Sequence, residues 1–306
     1  MIEYMGILAS DRNSRVAVVT DSAAALPPGL IAEHDLHVAR MEITINGKTF
    51  IDGASGELDD FYLQLARSSE APTTSAPTTS APTTSAPTPS EYLEQFRAAS
   101  EHSDSIFCVS VSAKLSASYD SALVAAKEIV NERPSTTVRV FDSETAAGSE
   151  ALIVLAAARA AAAGKPVEEV ERITRVVAGK VRLMAVLDTL YYIHRNGRVP
   201  RIAMWTTKAL NIKPVMEYSV GKIGAIARPR STRRALERIQ KEMLGDLAGK
   251  TAHVNVMHAS ASERAEELFR WALENLDCDE LFITQFHPFM GAHTGPGLVG
   301  ASWWAE

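Results

Sequence analysis

The sequence predicts an α/β protein of two domains, a doubly wound parallel sheet followed by a sheet-plus-helices domain. Three observations predict it. Three short apolar runs in the first half each end in a polar turn and pass into a helical pattern, which is the signature of parallel strands with right-handed crossovers. The pattern changes after Pro166, where strands and helices no longer alternate in the same order. The chain has 306 residues, enough for two units of about 150 each. The expected division is 15–163 and 164–306, with a hairpin appendage at about 40–56 and a repeat insertion at 71–90.

In order along the chain, 15–19 (RVAVV) is the first apolar run and reads as a buried strand. It ends at Thr20-Asp21-Ser22, where Asp21 or Ser22 caps the turn and where such sheets place ligands. Residues 37–51 read as two strands joined at Asn46-Gly47, and 58–67 as a helix. Residues 71–90 are three A-P-T-T-S pentads and one A-P-T-P-S variant, a composition normally found in linkers. The far end of this tract differs. Thr88-Pro89-Ser90-Glu91 has the form of a capping box with Pro at the first helical position, and Tyr92, Leu93 and Phe96 follow at helical spacing. The tract thus delivers Thr84-Ser85 just ahead of a helix N-terminus, where an anionic group is favoured. Thr79-Ser80 is the competing pair.

The second run, 105–111, leads through Ser116 into a helix, with Ser116 as an N-cap or a ligand contact. The third, 138–143, leads into an Ala-rich helix over about 148–163 that Gly164 and Pro166 stop. Beyond it, 167–178 reads as an amphipathic helix, 181–187 as a strand, 218–227 as a Gly-broken hairpin, and 251–258 and 281–286 as strands around a helix at 263–276. Residues 291–300 hold four glycines and a proline, the mark of a tight loop with exposed backbone, and place His293 within it.

Composition narrows the function classes. Hydrophobic residues make up 46%, so a large core forms and global disorder is excluded. The net charge of −6 argues against a generic nucleic-acid binder. Arg195, Arg198 and Arg201, with Arg228, Arg230, Arg233 and Arg234, still offer a local basic face, either solvated or docking an acidic partner. Cys108 and Cys278 lie in or beside apolar segments and read as buried structural thiols. No apolar run is long enough to span a membrane and the first fifteen residues lack a signal-peptide pattern, so a cytoplasmic location is expected. No phosphate-binding loop, kinase motif set or metal-ligand cluster is present, and neither cofactor nor metal is expected.

Six ordered segments resemble those of the DegV family of bacterial fatty-acid-binding proteins. Thr20 to Pro27 (TDSAAALP) is similar to the family's opening motif, and T-S-A-P-T-P-S-E-Y at 84–92 to its T-S-x-P segment. Residues 112–119 (SAKLSASY) resemble the S-x-x-L-S-G-[TS]-Y motif, with Ala117 in place of the usual Gly. Residues 190–198 resemble L-x-x-L-x-x-G-G-R with Asn196 for the first Gly, 210–215 resemble L-x-[IV]-K-P-[IV], and 291–300 resemble G-x-H-x-G-P-G-x-x-G. The resemblance implies a long-chain fatty acid whose carboxylate lies between the domains, near Thr84, Ser85, Ser116, His293, Thr294 and Gly295. It also implies a separate fatty acid kinase subunit as partner, with Arg195, Arg198 and Arg201 as docking residues, and a chain that is itself no enzyme. The enzyme alternative is a serine hydrolase with Ser116 as nucleophile, His293 as base and Asp21 or Asp142 as orienter, although Ser116 lacks a G-x-S-x-G elbow. A small-molecule-binding regulatory protein is the other alternative.

Overall fold

The computed structural model describes residues 15–45, 47–53, 58–69, 83–196, 212–219 and 222–306. The three apolar runs of the first half become β1 (Val16–Asp21), β6 (Ser105–Ser110) and β7 (Thr137–Asp142). A short strand, β2 (His37–Ala39), joins them in one parallel sheet of order β2-β1-β6-β7. The chain winds from β1 to β2 on one side and returns to β6 and β7 on the other, so the topological switch point lies between β1 and β6. Adjacent residues of these strands enter different cores. Val19, Ile106 and Cys108 pack under α3 (Pro89–Ala99) and α4 (Ser118–Glu132). Val18, Phe107 and Val109 pack under α5 (Ala147–Ala162) and α6 (Val167–Ala178). Burial on both faces explains why the strands read as continuous apolar runs without alternation.

Residues 37–51 differ from the expected two-stranded unit. β2 belongs to the parallel sheet, while β3 (Glu42–Ile45) and β4 (Lys48–Ile51) form the antiparallel hairpin, with Gly47 at φ +79°. Asn46 lies outside the described residues. A third strand, β5 (Thr83–Ser85), pairs with β3 where the sequence suggested only tract. This small sheet is not an appendage of the first half alone. Ile43, Ile45 and Phe50 are buried in one cluster with Phe61 and Leu65 of α2 (Leu58–Ser69) and with Phe286 and Phe289 from near the C-terminus. α1 (Pro28–Glu33) follows a single 3-10 turn at Ser22–Ala24.

The second half forms a six-stranded sheet of β8 (Arg182–Val186), β9 (Val215–Ser219), β10 (Lys222–Ala227), β11 (Ala252–His258), β12 (Cys278–Gln285) and β13 (Val299–Ala305). Its order is β10-β9-β8-β13-β11-β12, parallel only at β11–β12, and the short helix α7 (Tyr191–Asn196) follows β8. The central strand β13 carries Trp303 and Trp304 and was not expected from the sequence. One face, with Met184, Val186, Val254, Val256 and Trp303, packs under α8 (Thr232–Leu247) and α9 (Ser262–Asn275). The other face turns toward α5. At the start of α5, Gly148 lies so close to Asn255, Met257 and Ser302 that a Cβ there would overlap their side chains. The Ser149 hydroxyl donates to that of Ser302 at 3.3 Å across the same junction.

Residues 291–300 are not one exposed loop. Most of the first half is the end of a helix, α10 (Pro288–Thr294), and the following turn leads directly into β13. Gly291 and Gly295 are buried. Cys108 is also buried, Cys278 is half-buried, and both are free thiols.

Candidate functional site

A cavity of about 140 Å3 lies between the uncovered face of the second sheet and the ends of the first-half elements. Leu183, Ala185 and Leu187 alternate along β8 and its end, so all three point to the same face and form the floor. Met216 and Tyr218 do the same on β9. The opposite wall comes from Val111 and Leu115 after β6, and from Ala146 and Ala147 at the start of α5. Phe286, Phe289 and Met290 close a third side. Alternation in the strands and the switch-point loops therefore converge on one apolar chamber.

The polar side chains reaching this chamber are few. Ser116 sits in the turn before α4, and its Oγ lies 2.8 Å from the buried Ser118 Oγ. The Ser118 N–H also donates to Ser116 Oγ at 3.3 Å. When the Ser118 hydroxyl donates, the Ser116 proton is left for a ligand, and the chain of bonds strengthens that donor. Ser116 is not the helix N-cap. Ala117 holds that place at φ −77°, so the turn does not need the left-handed conformation that its usual glycine suggested. His293 is half-buried on the last turn of α10, its ring edge-on to Phe289 with centroids 4.9 Å apart.

Two buried side chains fix α10. Asp52 Oδ1 accepts from the Phe289 N–H at 2.9 Å, and the Tyr62 hydroxyl donates to the Phe286 carbonyl at 2.9 Å. Thr294 lines the cavity, but its hydroxyl already donates to the Met290 carbonyl at 2.9 Å. The Gly295 N–H donates to the Gly291 carbonyl at 2.8 Å. Neither has that donor left for an anion; Thr294 contributes shape. Gly295 is needed for another reason. It closes α10 at φ +74°, and a Cβ there would run into the Tyr192 ring.

Burial dominates the electrostatics beneath the cavity. Asp21 is fully buried at the switch point, and its carboxyl is pushed up to about 6 by desolvation. Bonds to Oδ1 from the Ala23 N–H, at 3.1 Å, and to Oδ2 from the Tyr92 hydroxyl and the Val111 N–H, both at 3.0 Å, oppose that rise. Burial, and then the neighbouring Asp21, push Glu150 of α5 well above the usual carboxylate range. Asp52 is pushed up to about 7, again by burial. Asp21 and Asp52 are hydrogen-bonded to the scaffold, and among the described residues no group of three or more His, Cys, Asp or Glu side chains is placed to hold a metal ion. A second, more polar cavity of about 520 Å3 opens beside Asp21, lined in part by His37, Arg40, Asp52, Gln95 and His287.

The structure brings Ser116, His293 and Thr294 to one cavity, from segments nearly 180 residues apart. Ser85 lies on β5, exposed, with its hydroxyl 3.5 Å from the Glu42 carbonyl, and is not part of the cavity lining. Thr84 pairs with Ile43 through its backbone, while its side chain falls outside the described residues, as do Thr79 and Ser80. The capping box at α3 is formed as expected, with Thr88 Oγ1 accepting from the Glu91 N–H at 3.2 Å. Its consequence differs, because the Glu91 carboxylate accepts from the Thr88 N–H and takes the place an anionic ligand would use. Arg198 and Arg201, and the side chain of Arg195, lie outside the described residues. Arg233 pairs with Glu237 at 2.9 Å. Ser118 lies in the 112–119 motif and reads there as a surface or packing residue, whereas Asp52, Tyr62 and Tyr218 were not found from the sequence.

Among the described residues no helix is long and apolar enough to cross a membrane. Known proteins share both the sequence pattern and the fold. A DegV domain-containing protein of Streptomyces coelicolor is 29% identical over 287 residues, covering 93% of this chain and 96% of that one. One from Caldanaerobacter subterraneus is 27% identical over 289 residues, covering 94% and 97%. A Thermus thermophilus structure described as fatty acid binding of a DegV family protein superposes with a TM-score of 0.83 at 25% identity, covering 95% of this chain and 100% of that one. A DegV family structure from Ruminococcus gnavus, described with vaccenic acid, gives 0.80 at 25% identity over 94% and 99%. The family model described as "Uncharacterised protein, DegV family" matches residues 15–306, and the chain belongs to that family.

Proposed function

We propose that this protein binds a long-chain fatty acid and presents its carboxylate to a partner kinase for acyl-phosphate formation. The observation that carries the reading is an almost wholly apolar chamber that Ser116 and His293 enter as polar groups. A fatty acid matches this chemistry. Its tail gains about 25 cal/mol for each Å2 removed from water, several kcal/mol for a long chain, and this term dominates affinity. Its head group needs a few donors, which a serine hydroxyl and an imidazole supply and which fix orientation. Thr84 and Ser85 are kept as further head-group candidates on the neighbouring small sheet. The fatty-acid-binding relatives support the ligand class.

The hydrolase reading is weaker at the orienting residue. Asp21 Oδ1 and Oδ2 accept from Ala23, Tyr92 and Val111, and Asp142 Oδ1 accepts from the Ala113 and Glu144 N–H groups. Mass spectrometry of a solvent extract of the purified protein tests the ligand. About one fatty acid per chain is expected, and an empty extract with no uptake of added fatty acid would refute the reading. For the kinase step, the loaded protein mixed with a bacterial fatty acid kinase and ATP is expected to yield acyl phosphate. Reversal of charge at Arg198, a candidate docking residue with Arg195 and Arg201, is expected to abolish that yield while leaving the fatty acid bound.

A further inference from the structure

Tyr218 is a polar group of the cavity to which no role has been given. It lines the chamber from β9, and its hydroxyl is buried with no hydrogen-bond partner of normal geometry. Burial pushes the phenol up to about 12, and the Asp142, Glu150 and Glu144 carboxyls act in the same sense, so it stays a neutral donor at physiological pH. A buried hydroxyl left unpaired is unfavourable, and on the wall of a ligand cavity it calls for a ligand atom that accepts from it.

The neighbours of this hydroxyl place it at the turn that carries Ser116. The Ser112 hydroxyl faces the phenol and favours its ionised form, although the geometry falls short of a formed bond. The Ser112 carbonyl accepts from the Leu115 N–H at 2.9 Å and from the Ser116 N–H at 3.2 Å. That second bond spans one helical turn and holds the two Cα atoms about 6 Å apart. Ser112 Oγ accepts from the Lys114 N–H at 3.3 Å, so its own proton is available to the phenol oxygen and leaves the Tyr218 proton for a ligand. Ser118 stands behind Ser116 in the same way, with the two Oγ atoms 2.8 Å apart. The acidic side chains at this end are engaged. Asp142 Oδ1 accepts from the Ala113 and Glu144 N–H groups at 3.2 and 2.8 Å, and Glu144 pairs with Lys114 at 3.4 Å.

We infer that the Tyr218 hydroxyl is a further head-group donor, bonding the ligand carboxylate from the second sheet while Ser116 bonds it from the turn after β6. The inference rests on the fatty-acid reading of the site. It makes Tyr218 a determinant of head-group specificity. A carboxylate accepts from the phenol in a charge-assisted bond, whereas an alcohol of the same chain length accepts only a weaker, neutral one. The Glu217 side chain, by alternation, leaves the opposite face of β9 to meet Arg182 at 3.0 Å and does not compete for this position.

The test compares oleate with oleyl alcohol, which has the same chain and no carboxylate, by competition titration on the full chain and on Tyr218→Phe. The phenylalanine keeps the ring and its packing. Because the hydroxyl is unpaired in the empty protein, the thermal midpoint of ligand-free Tyr218→Phe is expected to equal or exceed that of the wild type. A lowered midpoint would show that the hydroxyl already has a partner within the protein and would overturn the inference. Tyr218→Phe is expected to bind oleate about tenfold more weakly and oleyl alcohol within about threefold of the wild type. Undiminished oleate binding overturns the inference and leaves the fatty-acid reading standing. An equal loss for both ligands also overturns it, because Tyr218 would then serve the chain and not the carboxylate. Binding of neither ligand by the wild type refutes the fatty-acid reading, and this inference falls with it.

Discussion

At the scale of single residues, the site separates donors from shape. Ser116 and His293 line the cavity, and the hydroxyl of Thr294 donates to the Met290 carbonyl within its own helix. Ser116→Ala and His293→Ala are each expected to weaken fatty acid binding by about tenfold, the size of one hydrogen bond to a charged group. Binding should persist in both, because the tail supplies most of the affinity. Equilibrium titration of each variant checks this, and an unchanged affinity in both would move the head group elsewhere. Asp52 makes a prediction about stability. Its carboxyl rises from an ordinary value of 3.8 to about 7 on folding, so the folded protein keeps a proton that the unfolded chain releases. Stability is therefore fully present below about pH 4, where both states keep the proton, and falls as pH rises from about 4 to about 7. The loss is on the order of 2–4 kcal/mol. Asp52→Asn retains an oxygen for the Phe289 N–H and cannot ionise, so its thermal midpoint should decline less than the wild type's between about pH 5 and pH 8. Parallel declines would show that Asp52 does not carry this dependence.

At the scale of elements, short pieces are positioned by neighbours rather than by their own propensity. α10 has only seven residues, too few to be stable alone, and relies on Asp52, Tyr62 and the turn at Gly295. Gly295→Ala puts a methyl group into the Tyr192 ring at positive φ, and is expected to destabilise the protein by about 2–4 kcal/mol. It should also weaken ligand binding more than its loss of stability explains, since His293 stands two residues away. Chemical denaturation and ligand titration of the same variant measure both effects, and a loss of stability alone would separate α10 from the site. The second sheet shows the same dependence on neighbours in its ion network. Arg182 on β8 meets Glu217 of β9 at 3.0 Å and Asp246 of α8 at 2.5 Å, and the Trp303 indole donates to Asp246 at 2.9 Å. Three elements are thereby locked to the strand that floors the cavity.

At the scale of the whole molecule, α5 ties the halves together. Nearly all of its side chains are buried, against β1 and β6 on one side and the second sheet on the other. Its Ala-rich composition suits this place, because small side chains let it approach on every face. Gly148→Val would drive a branched side chain into Asn255, Met257 and Ser302, and is expected to cost at least about 3 kcal/mol. Because both halves line the cavity, the damage should reach ligand binding as well. A calorimetric scan that shows one half melting normally while the other is lost would contradict this coupling. The division of the chain at 163/164 remains our proposal, and it places α5 within the first half.

The sequence by itself determined the parallel sheet, the capping box of α3 and the family resemblance. Continuous apolar runs, Thr88 with Glu91, and ordered motifs are local patterns with local causes. It left β5, β13 and the structure of 291–300 unread. Such strands acquire their place from partners far along the chain, as β13 does from β8 and β11. The site was legible in part for the same reason. Ser116 and His293 stood out by motif, and Ser118 lay within the same motif as Ser116, but Tyr218 and Asp52 carry no motif of their own. Their roles depend on which side chains are buried and which polar atoms remain unpartnered, and only three-dimensional packing decides that.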